Sequence, residues 1–350
     1  MKIAVTADLH LAIKEDCPER YNALESILRQ IKAQSIETLL IAGDLFDRDF
    51  HNYAEFESLC KKYPQIQIHI IPGNHDAGIS EKSIVGPNIH IYTAPTAVTL
   101  GSTTFLSVPY KEKAKMSEQI TTLEEEIRGK EWFLVSHGDY YGGTKELNPL
   151  EPGTYMPLSR ENIETCSPRA VFLGHIHKPI NWGNVYYTGS PCGLNISETG
   201  KRKFLLCDTL DGSVISSVVA TDVVYFDESF IIVPLDNEVP LLKQEIAKRI
   251  KSWDLDPSDY SKVIVRVQAI GYAMDRSAIL VALREGFDRF RYYNDEGPLI
   301  ERLSNSTDRQ LNAIAERTMK LINELEWNFG GDEPERELVK IAALNVIYGT

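Results

Sequence analysis

Five short polar segments constrain this 350-residue chain most, because each one ends in residues suited to holding a metal ion. The segments are Asp8-Leu9-His10, Gly43-Asp44-Leu45-Phe46-Asp47, Gly73-Asn74-His75-Asp76, His137-Gly138 and Gly174-His175-Ile176-His177. Most of them directly follow a strand-like apolar run, which is how α/β proteins present ligands at one edge of a sheet. Together they offer oxygen and imidazole ligands for two divalent metal ions, and a paired metal site suits phosphoester hydrolysis.

A single segment of this kind predicts little, since Asp-x-His or Gly-Asp after a strand is usually a turn or a helix cap. All five in this order favour a metal site strongly over that ordinary interpretation. The remaining histidines, His51, His69 and His90, match no such pattern, and we expect them to be ordinary core or surface residues. Mixed oxygen and imidazole ligands admit manganese, iron or zinc.

Charge and composition limit the classes of protein that fit. The net charge of −13 argues against a basic surface that binds nucleic acid unaided, although two bound cations would add positive charge at the site itself. No apolar run approaches the ~20 residues that span a bilayer, so we expect no membrane association. The apolar start meets Asp8 at once, which argues against a signal peptide. Five cysteines without a close pair predict reduced thiols and a cytoplasmic protein.

Strand-like and helical stretches alternate over about the first 180 residues. Thr38–Ala42, Gln67–Ile71 and Thr103–Val108 are predicted strands, and Met116–Arg128 is a predicted helix. Later turns such as Asp211-Gly212 predict antiparallel strands. We therefore predict an α/β (α+β) fold in which two packed sheets are flanked by helices, over residues 1–220.

A second, smaller α/β unit is predicted over residues 221–297. Val223–Phe226 and Phe230–Val233 are predicted as separate strands, followed by alternating helices and strands without metal-ligand spacing.

A helical tail is predicted over residues 298–350. Thr307-Asp308-Arg309-Gln310 is a plausible capping box for its first helix. After it, apolar or small residues recur in steps of three and four, at Leu311, Ile314, Thr318, Leu321 and Leu325. This face could pack back on the domain, which periodicity alone slightly favours, or it could bind a partner helix.

At the five metal motifs the sequence resembles the calcineurin-like metallophosphoesterases. Within them, Gly43-Asp44-Leu45-Phe46-Asp47 and Tyr187-Thr188-Gly189-Ser190-Pro191 look most like the SbcD-type DNA repair nucleases. The order of the later parts is also similar to their capping domain and ATPase-binding helices. The resemblance implies a two-sheet metallophosphoesterase sandwich with a manganese-dependent activity on DNA, as 3′-5′ exonuclease and single-strand endonuclease. It also implies a role in DNA repair and recombination with a coiled-coil ATPase of the SbcC type.

The same resemblance implies how the ligands divide between two ions. One ion takes Asp8, His10, Asp44 and His177, and the other takes Asp44, Asn74, His137 and His175. The ions would then sit ~3.5–4 Å apart and activate a bridging water for attack on phosphorus. His75, left without a metal, would donate a proton to the leaving oxygen or stabilise its charge. Asp47 would hold its other ring nitrogen, and Asp76 would be structural support.

Contacts to the substrate are less clearly marked in the sequence. Arg48 is a candidate for a phosphate oxygen, and Tyr110 and Lys111 follow a predicted strand. Tyr140 follows the His137 motif, and basic side chains beside aromatic ones suit single-stranded nucleic acid. Lys201-Arg202-Lys203 could contribute as well, but a solvated turn is the favoured interpretation.

Two further questions stay open from the sequence. SbcD-type proteins often form homodimers, but the short, turn-rich stretch from Ala77 to Asn88 leaves little room for the helices of that interface. The alternative function is a phosphodiesterase or phosphatase acting on small molecules or phosphoproteins with the same metal site. The acidic charge favours it modestly, whereas the extra unit and the tail argue against it.

Overall fold

Apolar runs that alternate with amphipathic helices become the strands of two sheets in the first part of the molecule. The computed structural model describes residues 1–48, 50–142, 153–327 and 334–349. It divides into one compact unit of Met1–Leu194 and Lys201–Asp222 and a second of Asn195–Gly200 and Val223–Thr350.

The first unit contains fourteen strands and five α-helices in its described part. Its strands are β1 Lys2–Thr6, β2 Thr38–Ala42, β3 Gln67–Ile71, β4 Ile89–Ile91, β5 Thr96–Leu100, β6 Thr103–Val108, β7 Trp132–His137, β8 Tyr140–Tyr141, β9 Leu158–Ser159, β10 Ala170–Gly174, β11 Ile180–Trp182, β12 Val185–Tyr187, β13 Lys203–Asp208 and β14 Val214–Val218. Its helices are α1 Pro18–Ala33, α2 Ala54–Lys61, α3 Met116–Thr121, α4 Glu124–Ile127 and α5 Arg160–Cys166.

Two six-stranded sheets pack face to face in this unit. Their strand orders are β14-β13-β1-β2-β3-β4 and β11-β12-β10-β7-β6-β5. Val5 and Leu40 of the first sheet share one buried apolar cluster with Phe133 and Phe172 of the second. The central strands are buried on both faces, which explains why they read as nearly continuous apolar runs. The predicted α/β class with two packed sheets flanked by helices is confirmed.

Parallel pairing brings the polar segments together. Strands β1, β2 and β3 run parallel, so the segments that follow them leave the same edge of their sheet. In the other sheet β7 and β10 are parallel and pair His137 with Gly174. The loops are also bonded to each other, since the Asp8 amide donates to the Gly43 carbonyl at 3.1 Å.

The predicted helix Met116–Arg128 is instead two short helices, α3 and α4. The break falls at two threonines whose hydroxyls bond back to main-chain carbonyls. Thr121 donates to Ser117 O at 2.9 Å, and Thr122 donates to Gln119 O at 2.6 Å. Such local bonds compete with the helix, and β-branched residues also favour it less.

The second unit contains a four-stranded sheet and four α-helices in its described part. Its strands are β15 Val224–Ile232, β16 Val263–Ala273, β17 Arg291–Tyr292 and β18 Leu303–Asn305, and its helices are α6 Glu238–Ser252, α7 Arg276–Phe287, α8 Arg309–Glu324 and α9 Arg336–Tyr348. The two strands predicted between Val223 and Val233 are one strand, β15. The polar residues in its middle have partners, because Asp227 pairs with Arg266 and Glu228 accepts a bond from Trp253 Nε1 at 2.7 Å.

Helices α8 and α9 pack on each other through a face that the spacing did not single out. Asn312, Ala315, Met319 and Ile322 are the buried residues of α8. In the predicted stripe, Ile314, Leu321 and Leu325 are 52%, 56% and 55% exposed. The helix is capped by Asp308, which accepts bonds from the amides of Gln310 and Leu311, and not by Thr307. The helices therefore do pack, but the predicted apolar stripe points to solvent.

The predicted boundary at residue 297, between the smaller α/β unit and the helical tail, stays a prediction.

None of the helices in residues 1–48, 50–142, 153–327 and 334–349 is long and apolar enough to cross a lipid bilayer.

Candidate metal centre

The seven side chains predicted as metal ligands lie together at the ends of five strands. Asp8 and His10 follow β1, Asp44 follows β2, Asn74 follows β3, His137 ends β7, and His175 and His177 follow β10. Three overlapping sets of their ligand atoms lie within 4.8 Å of one another, one of which includes His75. The structure thus brings the seven residues together, while their roles as ligands stay a prediction.

One group of these residues surrounds the imidazoles of His10 and His177. The Nε2 atoms of the two rings are 3.1 Å apart. Asp8 lies within the same 4.8 Å cluster, and Asp44 Oδ2 is 3.7 Å from His10 Nε2. Two imidazole nitrogens and two carboxylates therefore converge on one small region.

The other group surrounds the side-chain oxygen of Asn74. Asn74 Oδ1 lies 2.8 Å from His137 Nε2 and 3.2 Å from His175 Nδ1. Asp44 Oδ2 is 3.4 Å from His137 Nε2, so the same carboxylate borders both groups. The division of the ligands between two ions stays a prediction.

The backbone adopts an uncommon conformation at four of these positions. Asp8, His10, Asp44 and His175 have φ of 53°, 46°, 49° and 93°. A non-glycine residue there costs about 1–3 kcal/mol and persists where surrounding bonds fix it. Here the His10 amide donates to Asp44 O at 3.0 Å, and the His175 amide donates to Asp8 Oδ1 at 2.8 Å. Such outliers cluster at functional sites.

Burial and neighbouring charges set the ionisation of the group. Burial alone would raise the pKa of Asp44, but the imidazole of His137 and then that of His10 outweigh it and hold the pKa below its usual range. Burial raises the pKa of Asp8. Although burial opposes it, the carboxylate of Asp44 raises the pKa of His137 to about 9.

Asp76 supports the turn that carries Asn74 and His75. Its carboxylate accepts bonds from the amides of Gly73 at 2.7 Å and Phe46 at 3.1 Å. Burial, and then the charge of Asp44, raise the pKa of Asp76 to about 7. Its bonds to two main-chain amides agree with the predicted supporting role.

The donor set fits divalent cations. Asp8 Oδ2 is fully buried, and in the described residues it has no hydrogen-bond partner. A buried carboxylate oxygen in that state is costly unless a cation compensates it. Converging imidazole nitrogens, carboxylates and an amide oxygen are the ligands that manganese, iron and zinc accept.

His75 stands beside the two groups and is oriented by Asp47. His75 Nδ1 lies 3.2 Å from Asp47 Oδ1, and the His75 amide donates to Asp44 Oδ1 at 2.9 Å. The imidazoles of His10, at 3.9 Å, and then of His75 hold the pKa of Asp47 below its usual range. Asp47 Oδ2 also lies 3.5 Å from Arg20 Nη1, a partner that the motifs did not indicate.

The four predicted substrate contacts fall in different environments. Arg48 and Lys111 have exposed side chains, and Tyr110 is half-buried with its ring 6.4 Å from that of His137. Tyr140 is only 7% exposed and belongs to an apolar cluster with Trp182, so its contact with substrate stays a prediction that the structure does not support. The short strand β8 turns its side chain into the core.

Two residues near the centre were not predicted. Asp139 is buried, and its Oδ1 lies 3.7 Å from His175 Nε2. Tyr155, whose amide donates to Asp139 Oδ2 at 2.9 Å, places its ring 4.4 Å from that of His175. Asp139 directly follows the His137-Gly138 motif, and carboxylates often orient metal-binding histidines, so its position was a usable signal. Tyr155 gave no such signal, because it matches no motif.

The first half of the chain matches a known family. The profile of calcineurin-like phosphoesterases aligns with residues 1–179. The chain belongs to the calcineurin-like phosphoesterase family. The predicted superfamily and the prediction of a metal-dependent phosphoesterase are thereby confirmed.

Individual proteins similar to this phosphoesterase share only a low sequence identity with it. The SbcD component of the SbcCD nuclease from Staphylococcus saprophyticus is 26% identical in an alignment of 242 residues that covers 58% of this chain and 64% of that protein. This match is consistent with the SbcD-type resemblance. The chain spans just under two thirds of that relative. A dimetal phosphatase from Danio rerio has 11% identity and a TM-score of 0.42, over 63% of this chain and 96% of its own. An archaeal phosphodiesterase has 15% identity and a TM-score of 0.34, over 63% and 100%.

Metal binding is expected to release protons as long as His137 is protonated. Its pKa of about 9 means that the metal-free ring carries a proton at neutral pH, which a metal ion must displace. Apparent affinity should therefore rise with pH up to about 9 and then level off. Titration calorimetry of Mn²⁺ in buffers of different ionisation heat would measure the protons released. Absence of proton release at pH 7 would contradict the assignment of His137.

The same proton contributes to the stability of the metal-free phosphoesterase. Because folding raises the pKa of His137, this contribution to stability is fully present at pH values below the ordinary pKa of histidine. It is lost as the pH rises through about 9.

Gly73 is expected to tolerate no side chain. A Cβ there would lie 2.1 Å from Asp44 Oδ1 and 2.5 Å from Asp44 N, so Gly73→Ala must displace the carboxylate that borders both groups. We expect metal affinity to fall about 10–100-fold or more, measured by Mn²⁺ titration. Gly78→Ala is the control, because no atom lies within 4 Å of its Cβ. Equal affinities in the two variants would argue against Asp44 as a shared ligand.

Proposed function

We propose that this phosphoesterase is a two-metal phosphodiester hydrolase acting on DNA. The specific proposal is a manganese-dependent 3′-5′ exonuclease and single-strand endonuclease in DNA repair and recombination. The observation that carries the two-metal part is the position of Asp44 Oδ2, 3.7 Å from His10 Nε2 and 3.4 Å from His137 Nε2. Similarity to the SbcD component of the SbcCD nuclease supports DNA as the substrate.

The proposed metal ligands form two sets that share one carboxylate. The first ion would be held by Asp8, His10, Asp44 and His177, and the second by Asp44, Asn74, His137 and His175. When bound, the ions supply Lewis acidity, lower the pKa of water and neutralise charge on the phosphate. Manganese is proposed, and iron or zinc would fit the same ligands.

His75 is the proposed proton donor to the leaving oxygen. Its Nδ1 lies 3.2 Å from Asp47 Oδ1, and we assign the proton donation to its other ring nitrogen, Nε2. The carboxylate keeps the ring in one tautomer and stabilises its protonated form. His75 can therefore give up a proton, or hold charge, on the oxygen that departs.

The exposed side chains near this centre suit a polyanionic substrate. Arg48 directly follows Asp47, and Lys111 follows Tyr110. Both are exposed and could contact backbone phosphates, while the half-buried ring of Tyr110 could contact a base.

A cytoplasmic location stays a prediction from the free cysteines.

The helical tail is proposed to bind a coiled-coil ATPase of the SbcC type. The residues Ile314, Leu321 and Leu325 keep a heptad-like spacing on α8 and are more than half exposed. A repeated apolar stripe that faces solvent is suited to packing against another helix. A homodimer has less support, because the described residues 72–88 contain neither a helix nor a strand.

A substrate panel tests the proposed activity. Single-stranded DNA, hairpin DNA and an aryl phosphodiester would be incubated with the protein and Mn²⁺, and cleavage of both DNAs is expected. His75→Ala should slow cleavage about 10²–10⁴-fold with the metal content unchanged, since it removes only the proton donor. His51→Ala, an exposed histidine outside the motifs, is the control. Intact DNA with a cleaved aryl ester would favour the small-molecule alternative instead.

The exposed stripe on α8 can be tested apart from hydrolysis. Leu321→Glu places a charge in the stripe and should abolish copurification of the ATPase while the protein alone still hydrolyses phosphodiesters. Glu316→Lys changes the charge on the opposite side of the helix and should leave copurification intact. Recovery of equal amounts of ATPase with both variants would refute the partner role of the stripe.

A further inference from the structure

Two arginines outside the predicted motifs donate hydrogen bonds to the backbone of the first ligand group. Arg20 lies in the first turn of α1, and Arg202 directly precedes β13. Arg202 belongs to the basic segment Lys201-Arg202-Lys203, for which a solvated turn was the favoured interpretation, yet its side chain is buried, with only 4% of the residue exposed. A guanidinium is seldom buried without a specific set of acceptors, so its contacts need an explanation.

Arg202 ties His177 to the turn formed by residues 188–191. Its Nε donates to Ser190 O at 2.9 Å, and its Nη2 donates to Ser190 Oγ at 2.7 Å. Nη2 also donates to the carbonyl oxygen of His177. That carbonyl accepts a further bond from the Ser190 amide at 3.1 Å, so two donors fix the main chain of the histidine.

Arg20 makes the corresponding contact to the other histidine of the group. Its Nη1 donates to the carbonyl oxygen of His10 and lies 3.5 Å from Asp47 Oδ2. The main-chain carbonyls of His10 and His177 therefore each receive a guanidinium. Their imidazole Nε2 atoms are the pair that lie 3.1 Å apart.

Electrostatics alone would not place arginines here. A positive charge near a site that binds divalent cations repels them, so removal of that charge by itself would strengthen metal binding. The planar fork of a guanidinium can instead bind several oxygens in a fixed arrangement, which the ammonium of lysine cannot reproduce. The bonding pattern of Arg202, with three acceptors on two segments, uses that property.

The geometry points to Arg202 and Arg20 as positioning residues that hold His177 and His10 at the spacing required by one of the two metal ions. This inference rests on the proposed two-metal function. It predicts a selective effect, because Arg202 bonds to His177 and Arg20 bonds to His10, and both histidines belong to the same ligand group. Loss of either arginine should weaken the binding of one metal ion and leave the binding of the other unchanged.

Lysine substitutions separate positioning from charge. Arg202→Lys and Arg20→Lys keep the charge and lose the fork. Arg169→Lys is a matched control, since Arg169 donates to the carbonyls of Thr209 and Leu210 in the same unit, outside the ligand groups. Mn²⁺ titration by calorimetry would give the two affinities, and electron paramagnetic resonance would distinguish isolated from spin-coupled manganese. Thermal melting of the metal-free proteins would report on general stability.

The expected result is an affinity about 10–100-fold lower for one of the two ions in Arg202→Lys, with the other unchanged. At two equivalents of manganese, the signal of an isolated ion should replace that of a coupled pair. Arg20→Lys should affect the same ion, and it decides the question if Arg202→Lys does not fold. Arg169→Lys should change the melting temperature only.

Two results would overturn the inference. One is parental affinity for both ions in the Arg202 and Arg20 variants. The other is an equal weakening of both ions that follows the fall in melting temperature, as for a general loss of stability. If the parent protein bound no metal ion, the proposed function itself would fail, which this series reveals before any variant is made.

Discussion

Taking the carboxylate of Asp44 out of water costs several kcal/mol unless positive charge and hydrogen bonds compensate it. The compensation comes from three different segments. The imidazoles of His137 and His10 lie 3.4 Å and 3.7 Å from its Oδ2, and the amide of His75 donates to its Oδ1 at 2.9 Å. His10 and His75 follow strands of one sheet, whereas His137 ends a strand of the other. Both sheets therefore contribute to the surroundings of this buried carboxylate.

Close approach of these loops is possible because the motifs contain glycine where a side chain would not fit. A Cβ at Gly43 would lie 2.2 Å from His137 Nδ1, and one at Gly174 would lie 2.2 Å from Ala42 O. Gly43 also has φ of 88°, a conformation that glycine adopts without strain. These two glycines thus have a packing reason, and the candidate ligands Asp8, His10, Asp44 and His175 beside the loops also have positive φ.

The convergence of the candidate ligands could be expected from the sequence, whereas the two arginines that bond to their backbone could not. A residue that follows an apolar strand must leave the sheet at its edge, so local order alone places Asp44 near its partners. Arg202 is different, because its charge suggests solvent and only tertiary packing reveals its acceptors. The burial of Tyr140 and the exposure of Leu321 could not be predicted for a related reason: several faces of their segments are apolar, and the sequence does not say which one is buried. The spacing of apolar residues determines the period of the pattern, but tertiary packing determines which face of the segment is buried.

Charge links the centre to the proposed substrate. The chain carries a net charge of −13, so its surface as a whole repels a polyanion. Two divalent cations held between buried carboxylates would reverse that sign locally, over the few ångströms at which a scissile phosphate is held. Under the proposed function, metal binding then supplies much of the attraction for DNA, and little remains when the ions are removed. Extended contact with the rest of a duplex would have to come from another surface, which is a role that a partner ATPase could fill.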